Sequence, residues 1–98
     1  MNKGKLIYSI LKEIDKGNEP SFKNYDVTLE QFGEVLEMMA SGNLIENAIV
    51  QRGGIGNKVI YTHLTHTKVT MGGLQYLEDN SGWAKTYNAI KEIRDWIK

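Results

Sequence analysis

An amphipathic helix pattern that stops at Gly42-Asn43 and passes at once into two β-rich runs around Gly53-Gly54-Ile55-Gly56-Asn57 restricts this chain more than any other feature. Leu29, Phe32, Val35, Leu36 and Met39 recur on a 3.6-residue period, so this stretch has one apolar face. Thr28 with Gln31 three residues later is a capping box, two side chains that satisfy free backbone N–H groups of the first turn. Gly42-Asn43 is the stop, with the glycine expected to take the left-handed conformation of a helix end. The period then changes. Leu44-Ile45 opens an extended run to Arg52, anchored by Ile49 and Val50; the glycines form a turn; and Lys58 to Leu64 is β-rich again. A helix followed directly by such a hairpin is the winged-helix arrangement. The helix at 28–41 stands in the recognition position, and the hairpin is the wing.

The flanking segments supply a core for these elements. Leu6, Ile7, Ile10, Leu11 and Ile14 make one stripe on a helix from about Lys3 to Lys16, ended by Gly17-Asn18 with Pro20 beyond. Residues 19–27 leave a strand, a turn and a degenerate helical turn all open, so the usual middle helix is squeezed into about Phe22 to Asp26 or replaced by a loop. Thr70 caps a segment carrying Leu74 and Leu77, and Ser81 caps a last helix carrying Trp83, Tyr87, Ile90, Ile93 and Ile97. Asn80-Ser81-Gly82 leaves open whether 70–97 is one kinked helix or two. Trp83, Tyr87, Ile90 and Ile97 are expected to pack on the Leu6–Ile14 stripe, while Trp96 falls off that stripe. The expected class is α+β and mostly helical: a winged helix-turn-helix with a degenerate middle helix, a two-stranded wing and a C-terminal helix, in one domain over 1–98.

The opening Met1 to Ile14 and the ending Trp83 to Lys98 resemble the YjcQ-like proteins, small winged-helix proteins of Gram-positive bacteria and their phages. Thr28-Leu29-Glu30-Gln31-Phe32, Gly42-Asn43-Leu44-Ile45 and Thr70 to Leu77 match the same family. The likeness spans nearly the whole chain and is weakest over the hairpin, Ala48 to Thr67. It implies the winged-helix fold and a phage or prophage origin, and it supplies no function.

Composition removes several kinds of chemistry. The 98 residues include no cysteine, which excludes disulfides, Cys-based zinc sites and thiol catalysis. No apolar run approaches the ~18 residues of a membrane helix. The basic start has no apolar run behind it as a signal peptide would, so a cytoplasmic protein without membrane contact is expected. His63 and His66 are three apart in a β-rich segment without acids, a poor metal pair. Ser9, Ser21, Ser41 and Ser81 lie in no nucleophile elbow. Lys58 is followed by Val59 rather than the Ser or Thr of a phosphate loop. Neither an enzyme nor a cofactor is expected.

Charge is the remaining guide. The chain has 12 Lys+Arg and 12 Asp+Glu, but they are segregated. Residues 19–46 hold Lys23 against Glu19, Asp26, Glu30, Glu34, Glu37 and Glu46, whereas 47–68 hold Arg52, Lys58 and Lys68 with no acid. Lys3 and Lys5 add to the positive groups. Two readings follow. In the first, the chain is a small regulator that contacts the backbone of double-stranded DNA through Arg52, Lys58, Lys68, Lys3 and Lys5, because phosphate neutralisation supplies much of DNA affinity. In the second, it is an adaptor that presents a solvated stripe of Glu30, Glu34 and Glu37 to a basic protein partner. Trp96 would then extend an apolar patch that supports a weak homodimer. The cationic wing puts DNA first, and the acidic helix argues for protein.

Overall fold

The computed structural model describes residues 2–89. The chain is α+β and about half helical, with four α-helices and two small antiparallel sheets, so it carries more strand and turn than expected. Helix α1 spans Lys3–Asp15, and Asn2 caps it by accepting the Lys5 N–H at 3.0 Å. Its apolar stripe is buried as the periodicity predicts, with Leu6, Ile10 and Leu11 fully enclosed. Each such side chain contributes about 1.5–3 kcal/mol by leaving water.

The segment after α1 turns back through buried Pro20 into a single 3-10 turn, Phe22–Asn24, so of the forms left open for residues 19–27 it takes one helical turn. That turn delivers Tyr25 into the core. Its ring stacks on Phe32 at 6.0 Å, and its hydroxyl accepts a hydrogen bond from buried Ser9. Burial pushes the Tyr25 phenol well above its ordinary value.

Helix α2 spans Leu29–Ser41, and the Thr28–Gln31 capping box forms as read from the sequence, at 2.9 and 3.1 Å. The left-handed residue at its end is Asn43, with φ of 60°, rather than Gly42, whose φ is −84°. Asparagine tolerates this conformation better than most side chains do. The Leu44 N–H then closes on the Met39 carbonyl.

The extended run beyond α2 is two strands. Asn47, with φ of 65°, breaks it into β1 (Ile45–Glu46) and β2 (Ile49–Gly53). Strand β2 pairs with β3 (Lys58–His63) as the expected hairpin. Strand β1 pairs instead with β4 (Lys68–Val69), setting Ile45 opposite Val69 and Glu46 opposite Lys68. This second ladder closes the base of the hairpin.

Helix α3 (Met71–Asp79) starts where β4 ends. Thr70 accepts the Gly73 N–H at 3.1 Å and donates its hydroxyl to the Asn43 carbonyl. A methyl group on Gly73 would meet the Leu44 carbonyl oxygen, which is why the helix can lie directly on that backbone. A 3-10 turn, Ser81–Trp83, separates α3 from α4 (Ala84–Ala89), so the two are distinct elements. Trp83 and Tyr87 do pack on α1, but at Tyr8 and Glu13, which lie off the Leu6–Ile14 stripe on which they were expected. Both rings contact Tyr8 edge-on, at 5.7 and 5.8 Å, and the Tyr87 hydroxyl donates to Glu13. Ile90, Ile93, Trp96 and Ile97 lie outside the described residues, and with them the expected dimer patch.

Candidate functional site

The hairpin lies on α2, and a missing side chain lets it come close. A Cβ on Gly33 would stand 2.7 and 2.9 Å from the Val59 methyls and 3.2 Å from Val50 Cγ1. Val50, Arg52 and Val59 therefore face the helix. Arg52 is opposite Val59 and Gln51 opposite Tyr61, so Ile60 is one residue more on β3 than on its partner strand. This β-bulge flips the phase of the strand, and both Ile60 and Tyr61 turn outward, 55% and 50% exposed.

Close approach brings the hairpin's arginine onto the acidic helix. Arg52 Nη2 and Nε donate to Glu37 at 2.6 and 3.0 Å, and Nη1 donates to Glu30 at 3.1 Å and to the Asn57 carbonyl at 2.9 Å. The other oxygen of Glu30 accepts the Val59 N–H at 2.9 Å. That backbone hydrogen bond, helped by Arg52, holds the Glu30 carboxyl below its ordinary value. Hydrogen bonding to Arg52 does the same to Glu37, and the two glutamates raise the Arg52 guanidinium in turn. One cation between two anions leaves the cluster with net negative charge.

The residues singled out for opposite partners thus meet each other. Arg52, chosen as a phosphate contact, is paired within the chain. Glu30 and Glu37 are half-buried against it, and of the expected solvated stripe Glu34 alone is exposed. Lys58 is exposed at the start of β3. Lys68 belongs to β4 rather than to the hairpin and stands opposite Glu46. Lys3 and Lys5 sit in the first turn of α1, where the Tyr76 hydroxyl donates to the Gly4 carbonyl at 3.0 Å and Trp83 lies alongside. The five cations are distributed over α1, β2, β3 and β4.

Sequence reasoning passed over the outer face of the hairpin. Ile49, Ile60 and Tyr61 are half-exposed there, and Ile55 at the tip is fully exposed. The adjacent pair Ile60-Tyr61, which breaks strict alternation, was the available signal. A groove of about 330 Å³ runs between Ile60 and Tyr61 of β3 and Phe22 and Leu29, with Lys23 at its wall. A second cavity of about 320 Å³ lies beside Glu13, Glu19 and Tyr25. Its polar groups are already engaged: Glu13 by Tyr87, Asn18 and Lys16, and Glu19 by the Leu64 N–H and Thr65. Among the described residues, no three His, Asp or Glu converge as a metal ion requires, and no helix is long and apolar enough to cross a membrane.

A family model described as YjcQ protein matches residues 8–96. The uncharacterized protein YjcQ of Bacillus subtilis strain 168 is 40% identical over 101 residues, an alignment covering 100% of each chain. No solved structure matches.

Proposed function

The chain belongs to the YjcQ family, and we propose that it is a non-catalytic winged-helix module whose hairpin contacts protein rather than the backbone of duplex DNA. The order of α1, the 3-10 turn, α2 and a hairpin lying on α2 supports the winged-helix reading, with the 3-10 turn in place of the middle helix. The observation that carries the protein reading is the engagement of Arg52 by Glu37 and Glu30. A wing that clamps phosphates needs its cations free to neutralise them and release counterions. Here the wing's arginine is neutralised by the chain itself, and its carboxylate partners would repel a phosphate drawn toward it. The outward face of the same hairpin exposes Ile49, Ile60 and Tyr61, which suits a protein contact. The exposed Lys58 and Lys3 are what support the DNA alternative.

Two measurements test the proposal. Fluorescence anisotropy of a labelled duplex should show no binding by the wild-type chain at low salt. A Glu30→Gln, Glu37→Gln variant, with Arg52 released, should gain weak binding that falls with salt. A photo-reactive residue in place of Tyr61 should form protein adducts in cells that survive nuclease, whereas one in place of exposed Lys85 on α4 should not. Wild-type duplex binding that is lost in Lys58→Ala would overturn the proposal.

A further inference from the structure

We infer that the groove between the Phe22–Asn24 turn and β3 is a docking site for a peptide segment of a partner protein that carries an aromatic or branched aliphatic anchor beside a carboxylate. The inference rests on the protein-contact reading above and names the partner's chemistry.

The groove's shape limits the occupant. At about 330 Å³ it is at the small end of ligand sites, which run from about 300 to 1,000 Å³, so it accepts one or two side chains. Its apolar walls are the rings of Phe22 and Tyr61 with Leu29 and Ile60, and none of the four is fully buried. Such a set is what an anchor side chain covers when it becomes the dry centre of a contact. The bulge at Ile60 creates this wall. Regular alternation would have turned one of Ile60 and Tyr61 toward α2.

Charge decides what lies beside the anchor. Lys23 is the one Lys or Arg from residue 17 to residue 51, and it lines this groove. It is exposed, and among the described residues no carboxylate pairs with it. No residue that lines the groove is acidic, and the hairpin side carries no acid from residue 47 to residue 68. A partner carboxylate therefore meets an unpaired ammonium with no competing anion in the groove. Ser21 and Thr62 also line the groove, and polar residues there suit the backbone of an extended segment. A duplex fits poorly, because one lysine among apolar side chains offers a phosphate backbone a single contact.

The test uses the full chain labelled with nitrogen-15 and a capped hexapeptide that joins a phenylalanine and a leucine to two aspartates. The peptide should shift the backbone amides of Phe22, Lys23, Tyr61 and Thr62. Lys23→Glu should weaken it about tenfold, and Tyr61→Ser by a similar factor. A peptide with lysines in place of the aspartates should not bind, nor should one with alanines in place of the anchors. Lys23 and Tyr61 are exposed, so both variants should keep the wild-type circular dichroism spectrum, which is checked first. Absence of groove shifts, or affinity unchanged in Lys23→Glu, overturns the inference. If the wild-type chain also ignores duplex in that case, the protein-contact reading stands without this groove. If it binds duplex, that reading falls as well.

Discussion

Substituting Gly33 by alanine adds one methyl group at the centre of the contact between α2 and the hairpin, and two opposed effects set the result. Alanine is better than glycine inside a helix by about 1 kcal/mol. Against this, the new methyl would lie 2.7 and 2.9 Å from the Val59 methyls, where ordinary carbon contacts are about 3.5–4.0 Å. Val59 is buried and β-branched, so it has no free rotamer into which to retreat. The hairpin must move outward by about 1 Å, and overpacking of this kind costs about 1–3 kcal/mol. The net expectation is a destabilisation of about 1 kcal/mol, opposite in sign to the helix propensity. The sign should reverse when Val59 is also shortened. In a Val59→Ala background the two closest atoms are gone, and Gly33→Ala should stabilise by up to about 1 kcal/mol. The coupling in the double-mutant cycle is then about 2 kcal/mol, within the range for residues in contact. Urea unfolding followed by circular dichroism measures all four proteins, with the midpoints compared at constant m. If Gly33→Ala changes stability equally in both backgrounds, the hairpin does not pack on α2 through this glycine.

Ile10 is fully buried on α1, and Ile10→Ala should lower unfolding free energy by about 2–5 kcal/mol in urea; a loss under about 0.5 kcal/mol, as at a surface site, would place it outside the core. Gly73→Ala should cost about 3 kcal/mol or more, since its methyl meets the Leu44 carbonyl rather than a movable side chain, and thermal melting would refute this by showing no change. The carboxyls of Glu30 and Glu37 have folded values below the ordinary 4.5, so their contribution is complete above that value and is lost as pH falls through the lowered folded values. Hydrogen-exchange protection of the Val59 amide should fall across that acidic window in the wild type and stay flat in Glu30→Gln, Glu37→Gln. Equal profiles would mean that the pairs do not hold the hairpin.

The helices were legible because their determinants are local. A stripe such as Leu6, Ile10 and Ile14, or the Thr28–Gln31 box, lies within one or a few turns, so spacing alone predicts which groups meet. The hairpin was legible for the same reason, since its two runs are joined by a short glycine turn. Two local signals misled. Gly42 drew the left-handed position that Asn43 occupies, and the apolar run from Leu44 concealed the break at Asn47 that starts a second sheet. The candidate site was legible only as a set of charges. Arg52, Glu30 and Glu37 were each identified from the sequence, but for opposite partners, because 22 and 15 residues separate Arg52 from the two glutamates. Whether they meet depends on how closely the hairpin approaches α2. That distance is set by the absent side chain at Gly33, and the direction each β3 side chain takes is set by one extra residue at Ile60. Composition and period place charges and apolar groups on elements. Only tertiary packing decides that the hairpin's arginine faces inward to the acidic helix while Ile60 and Tyr61 are left facing solvent, because both follow from contacts between residues far apart in the chain.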